Sequence, residues 1–127
     1  MRFLLDTHLL VWALASSHKV PSSVRTLIED PDNEAIFSAA SVWELAIKYT
    51  QARGNLIDPT AFRNELLHLG YEELPITSAH GLAVLSLPAL HKDPFDRILI
   101  AQATGEGITL LTADPVVAAY PGPILRV

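Results

Sequence analysis

Short apolar runs of strand length alternate along the chain with longer segments whose apolar residues recur at helical spacing. Arg2–Leu5 is the first such run, and it ends in Asp6-Thr7. Leu9, Leu10, Val11, Trp12 and Leu14 then predict a mostly buried helix ending near Ser16-Ser17. Pro21-Ser22-Ser23 starts a second helix, with Val24, Leu27 and Ile28 on its apolar side and Asp30-Pro31-Asp32-Asn33 as its stop. Ala35–Ser38 predicts a brief strand. Ser41-Val42-Trp43-Glu44 opens a helix carrying Leu45, Ile47, Lys48 and Tyr49 and closing at Arg53-Gly54. Asp58-Pro59 begins another, with Phe62, Leu66 and Leu67 on one face and Gly70 as its stop. Tyr71–Ile76 predicts a strand. Thr77-Ser78 caps a helix through Leu82, Val84 and Leu85 that Pro88 ends.

The segment His91–Pro115 carries the strongest local signals. Asp93-Pro94-Phe95-Asp96 supplies an N-cap acid, proline at the first helical position and an acid three residues on. Ile98, Leu99, Ile100, Ala101 and Ala103 give the helix a buried surface, and Gly105 and Gly107 can stop it. Ile108–Leu111 follows as a strand, Thr112-Ala113-Asp114-Pro115 begins a further turn, and Ile124–Val127 closes as an edge strand after Pro121-Gly122-Pro123. This alternation predicts an α/β sandwich around a mostly parallel sheet. There is no internal repeat, low-complexity segment or linker, so the 127 residues are expected to form a single domain, 1–127.

Composition narrows the compartment more than the chemistry. Half of the residues are hydrophobic, which excludes disorder, and the longest apolar run, Leu9–Ala15, is far shorter than the roughly 20 residues of a membrane span. Met1-Arg2 and the apolar residues after it imitate a secretory signal, but Asp6 and His8 interrupt the run. The absence of cysteine removes disulfides and thiolate metal sites and makes the cytoplasm the expected compartment. A net charge of −5, from 9 basic and 14 acidic residues, argues against a broad basic surface for nucleic acid.

Where the acids lie matters more than their number. In a parallel α/β sheet the C-terminal ends of the strands open onto one edge, where ligands bind. Asp6 follows the first strand, Glu44 stands in the first turn of the helix after the second, Asp96 lies in a helical first turn, and Asp114 follows Ile108–Leu111. If these four share one site, the rest of the molecule is nearly neutral. Close carboxylates of low exposure repel by several kcal/mol, and Mg²⁺ or Mn²⁺ is the simple remedy because hard cations prefer oxygen ligands. A local explanation competes at each position. Ser41-x-x-Glu44 is a capping box, Asp93-x-x-Asp96 resembles one, Asp114-Pro115 is an N-cap with proline, and Asp6 can cap the helix starting at His8. Caps alone have no reason to fall after several strands of one sheet beside Thr7 and Thr112.

Four motifs, LLDTHLLVW, SAASVWELAIK, HKDPFDRILIAQA and LLTADP, occur in order over essentially the whole chain. With them the sequence resembles a PIN domain, and more closely the VapC-like ribonuclease toxins of toxin–antitoxin pairs. The resemblance implies a three-layer α/β/α fold with a five-stranded parallel sheet and Mg²⁺- or Mn²⁺-dependent cleavage of single-stranded or looped RNA. It implies Asp6, Glu44, Asp96 and Asp114 as metal-binding and catalytic acids, a homodimer, and a VapB-like antitoxin partner. Two features depart from the pattern: His8 stands where asparagine is common, and the third motif holds both Asp93 and Asp96. The spacing to Ile-Ala-Gln-Ala favours Asp96 as ligand and leaves Asp93 as the N-cap.

In that chemistry Asp6 and Asp96, with Asp114 close by, hold a metal that orients and activates water. Glu44 binds a second ion or acts as general base, so one metal or two stays open. Thr7 and Thr112 offer hydroxyls to a water or a carboxylate. Lys48 and Arg97 can reach RNA phosphate, against a solvated charge or an ion pair. Trp12, Trp43, Tyr49 and Phe95 can stack bases, against core or interface, and an apolar surface with Trp12, Leu45 or Tyr49 suits a partner. The five histidines lack helical ligand spacing, which disfavours zinc. Two rival functions are weaker. An aspartate-based phosphatase or phosphotransfer domain usually has a second Asp two residues after the nucleophile, where this chain has His8. A non-catalytic PIN-like binding domain commonly loses acids that are all present here.

Overall fold

The computed structural model describes residues 1–51 and 57–127. Its strands are β1 (Arg2–Leu5), β2 (Glu34–Ser38), β3 (Glu72–Leu74), β4 (Thr109–Thr112) and β5 (Ile124–Arg126). They form one sheet in the order β3-β2-β1-β4-β5, with every pairing parallel. Around it lie α1 (Thr7–Leu14), α2 (Ser22–Glu29), α3 (Ala39–Gln51), α4 (Pro59–His68), α5 (Ser78–Ala83), α6 (Pro94–Glu106) and α7 (Pro115–Ala118).

Strand alternation builds the layers. Phe3, Leu5, Phe37 and Leu111 point to one face and pack with Leu9 and Leu10 of α1, Val24 of α2, and Phe62 and Leu66 of α4. Leu4, Ile36 and Leu110 point to the other, against Leu99, Ile100 and Ala103 of α6 and Val117 of α7. The register sets Leu4 beside Ile36 on one side and Leu110 on the other, so these three strands are apolar on both faces. The expected three-layer α/β/α fold with five strands is present, and the sheet is wholly parallel. No helix among the described residues is long and apolar enough to cross a membrane.

Several boundaries differ from the sequence expectations, each for a local reason. Helix α3 starts at Ala39, because the Ser38 hydroxyl accepts the Ala40 N–H and serves as the cap. Ser41 is therefore inside the helix and starts no capping box, and Glu44 sits beyond the first turn. Strand β3 is only Glu72–Leu74, since Pro75 has no N–H to continue the ladder. Helix α5 ends at Ala83 and tightens into a 3₁₀ turn over Val84–Ser86. Helix α6 runs through Gly105 and stops at Gly107, whose left-handed φ of 66° closes the helix. Leu67, expected on the buried face of α4, is 40% exposed. The predicted close of α3 at Arg53-Gly54 lies outside the described residues.

Leu110 is fully buried at the centre of the sheet. Leu110→Ala is expected to lower unfolding stability by about 2–5 kcal/mol, through lost burial and a residual cavity. Urea denaturation measures this, and a loss below about 1 kcal/mol would mean the second core is not packed as described.

Candidate functional site

Parallel connections set helix starts and strand ends at the same edge of the sheet. Helix α1 leaves β1 through Asp6, α3 follows β2 directly, and α7 follows β4 through Asp114. Helix α6 precedes β4 and runs back along the sheet, so its first turn also reaches this edge. The sheet order places β1 beside β4 where the chain's progression reverses direction, and Asp6 stands at that switch point.

Asp6 is the most firmly held of the four acids. One carboxylate oxygen accepts the Leu9 N–H at 2.9 Å and so caps α1. The other accepts the Thr112 hydroxyl at 2.6 Å, across the join between β1 and β4. Thr112 Oγ1 also accepts the Asp114 N–H at 3.0 Å, and Asp114 caps α7 by accepting the Val116 N–H at 2.8 Å. Glu44 is buried on α3 and pairs with Lys48 at 2.8 Å. Asp93 caps α6 by accepting the Phe95 N–H at 2.8 Å, the role expected of it. That leaves Asp96 free of capping duty in the first turn, 3.0 Å from the His91 ring.

These acids feel one another. Burial pushes Asp6 above the ordinary 3.8, Asp114 adds to the rise, and the hydrogen bonds from Thr112 and Leu9 oppose it. Asp96 is pushed up to about 6, first by burial and then by Asp93, Asp6 and Glu44, while His91 pulls the other way. The set is electrostatically coupled without being closed. Among the described residues, only His91, Asp93 and Asp96 bring ligand atoms within 4.8 Å of one another. Among the described residues, no three of Asp6, Glu44, Asp96 and Asp114 do so.

Buried hydroxyls and an amide brace the site from beneath. The Ser38 hydroxyl donates to Gln102 Oε1 at 2.6 Å, and the Gln102 amide donates to the Pro75 carbonyl at 3.3 Å. Thr7 and Ser41 share a hydroxyl–hydroxyl bond of 2.9 Å, tying α1 to α3. Ser38, Ser41, Gln102 and His91 were not among the sequence candidates, although the first two belong to the motif SAAS and the third to IAQA. Their signal was a polar residue inside an apolar motif, without a spacing to say what it meets. Lys48 takes the ion-pair alternative with Glu44, whereas Arg97 is neither a solvated charge nor an ion pair: it donates to the carbonyls of Val84, Leu87 and Pro88 and to Tyr120. Trp43 is 58% exposed and meets Phe95 edge-on at 5.2 Å between ring centres.

The chain belongs to the PIN domain family, whose sequence pattern matches residues 3–123. Its fold is similar to a chain of the VapBC2 complex of Rickettsia felis bound to promoter DNA, with a TM-score of 0.72 at 16% identity, covering 99% of this chain and 98% of that one. It is also similar to a chain of DNA-bound VapBC from Salmonella typhimurium, with a TM-score of 0.69 at 14% identity and coverage of 99% and 98%. A toxin–antitoxin complex from Klebsiella pneumoniae follows, with a TM-score of 0.65 at 15% identity and coverage of 97% and 95%. No curated protein sequence matches the chain.

The raised carboxyl of Asp96 ties the site to stability. Below 3.8 the group is protonated in both folded and unfolded chains, so folding is unopposed there. As pH rises through about 6 the folded carboxyl must ionise against burial and its acidic neighbours, and that share of stability is lost. In metal-free protein, Asp96→Asn is therefore expected to stabilise the fold by roughly 1–3 kcal/mol at pH 7.5 and by much less at pH 4. Urea melts at the two pH values check this, and an equal effect at both removes the electrostatic explanation.

Proposed function

We propose that this chain is a metal-dependent endoribonuclease, the toxin of a toxin–antitoxin pair, working as one catalytic unit over residues 1–127 in the cytoplasm. The observation that carries the reading is the gathering of Asp6 and Asp96 at the switch point of a PIN domain sheet, each carboxyl raised by burial and by acidic neighbours. The structural neighbours support the biological setting, since they are chains of toxin–antitoxin complexes.

The donor set fits a hard divalent cation, Mg²⁺ or Mn²⁺: it is made of carboxylates, and such an ion would offset both the burial and the acidic neighbours that raise Asp6 and Asp96. Asp6 and Asp96 would hold it, with Asp114 and Glu44 completing the ring directly or through water. When bound, the metal lowers the pKa of a coordinated water and offsets charge on the phosphate. The chain's own residues do the aiming. Thr112 and the start of α1 fix both oxygens of Asp6, so that carboxylate is a rigid ligand and a poor nucleophile, contrary to the phosphotransfer alternative. Glu44, held by Lys48 one turn further along the same helix, would orient a water or take its proton.

RNA is the substrate in this reading, and a VapB-like antitoxin and a second copy of the chain are its protein partners. An acidic groove attracts a lysine or arginine of the antitoxin. Trp43, Leu82 and Leu85 are 58%, 66% and 83% exposed and offer apolar area for a protein contact. Tyr49 is also exposed, whereas Trp12 and Leu45 pack partly against the first core.

Asp6→Asn and Asp96→Asn are expected to lower the rate of RNA cleavage at least about 100-fold with circular dichroism unchanged, and a chelator should silence the wild-type chain until Mg²⁺ or Mn²⁺ returns. Full activity in either folded variant, or activity indifferent to chelation, overturns the assignment.

A further inference from the structure

We propose that His91 is a positioning residue for the Asp96 carboxylate, and that Tyr120 and Arg97 are the parts that hold His91 in place. The inference rests on Asp96 being a metal ligand. Three of the four acids take their aim from close partners: Asp6 from Leu9 and Thr112, Asp114 from Val116, and Glu44 from Lys48 one turn away. Asp96 has no such partner on its own helix. Among the described residues its polar contact is His91, with Nε2 at 3.0 Å from Oδ2. The His91 ring is set for this. Its Nδ1 accepts the Lys92 N–H at 3.1 Å, which leaves the proton of the neutral ring on Nε2, the nitrogen 3.0 Å from the Asp96 oxygen.

His91 lies outside regular structure, three residues before α6 begins at Pro94, so the helix does not set its direction. A phenol does. Tyr120, 4% exposed, accepts the His91 N–H at 2.7 Å and donates to the His91 carbonyl at 3.3 Å. Its remaining lone pair accepts from Arg97 at 3.1 Å. Arg97 also donates to the Pro88 carbonyl at 2.8 Å and the Val84 carbonyl at 3.2 Å, anchoring the segment that leads into His91. The phenol thus uses its one donor and two acceptor positions on a single task. Histidine ligand spacing in the sequence has no bearing on this role, because the ring aims a ligand and does not bind the ion.

The test uses the full chain and Mn²⁺ as the probe. Mn²⁺ affinity is followed by electron paramagnetic resonance, and kcat and KM are measured on RNA. His91→Ala is expected to weaken Mn²⁺ binding about 10–100-fold and to lower kcat with little change in KM. His91→Gln, which keeps an N–H donor, should recover part of both. Tyr120→Phe, which keeps the ring in the core, should shift both in the same direction by less, with thermal unfolding still cooperative. Wild-type affinity and kcat in His91→Ala overturn the proposal, as does a directly bound imidazole nitrogen in the Mn²⁺ spectrum. Loss of Mn²⁺ binding in Asp96→Asn beside a silent His91→Ala removes the positioning role alone. Unchanged binding and cleavage in Asp96→Asn removes Asp96 as the ligand and the proposal with it, and no RNA cleavage by the wild-type chain with Mn²⁺ removes the ribonuclease reading beneath it.

Discussion

A carboxylate has to stay useful at the buried end of the central strand, and much of the local architecture answers to that constraint. Asp6 is 4% exposed, in a position where burial opposes its charge. Two donors oppose the penalty: the N–H of Leu9 at the start of α1 and the hydroxyl of Thr112 at the end of β4. The second exists only because β1 and β4 pair in parallel with Leu5 level with Leu111, which brings Thr112 beside Asp6. A one-residue slip in that register would turn Thr112 to the other face and break the bond. The apolar interior of the strands fixes the register, and the register in turn places the chemistry.

The same edge gathers more negative charge than it can hold comfortably. Helix starts bring partial positive charge, at about 0.3–1 kcal/mol for each acid, too little to cancel mutual repulsion of partly buried carboxylates. Asp96 shows the strain, with its carboxyl pushed up to about 6 by burial first and by Asp93, Asp6 and Glu44 after it. A fold tolerates such a site when its core is well made elsewhere. Here Phe3, Leu4, Leu5, Phe37, Leu110 and Leu111 are completely buried on both faces of the sheet.

The capping explanation of the acids holds for Asp6, Asp93 and Asp114. Asp6 and Asp114 each use one oxygen on a helix N–H, and the second oxygen of Asp6 accepts the Thr112 hydroxyl. The local pattern of Asp followed by Pro was readable in the sequence because a cap is a contact between near neighbours. The same holds for Asp93 and Asp58, and for the alternation of strands and helices that announced the fold. Glu44 shows how a local pattern misleads. Ser41-x-x-Glu44 satisfies the capping-box spacing, yet Ser38 starts the helix three residues earlier, which frees Ser41 to meet Thr7.

What stayed hidden depends on residues far apart in the chain. Ser38 and Gln102 meet across 64 residues and Asp6 and Thr112 across 106, so no periodicity marks either pair. His91 is closer to its partners, but its role comes from Tyr120, whose hydroxyl reaches back 29 residues to grip both backbone groups of His91. In the sequence Tyr120 is an aromatic residue before Pro121-Gly122-Pro123, with nothing to separate it from ordinary core. A buried phenol whose donor and acceptors all serve one loop is different from core packing, because a phenylalanine would fill the same space without holding the backbone. The acids at this edge were legible because they stand beside strand ends and helix starts, a pattern between near neighbours. The groups that aim them answer only to geometry, and they became visible once the sheet order was known.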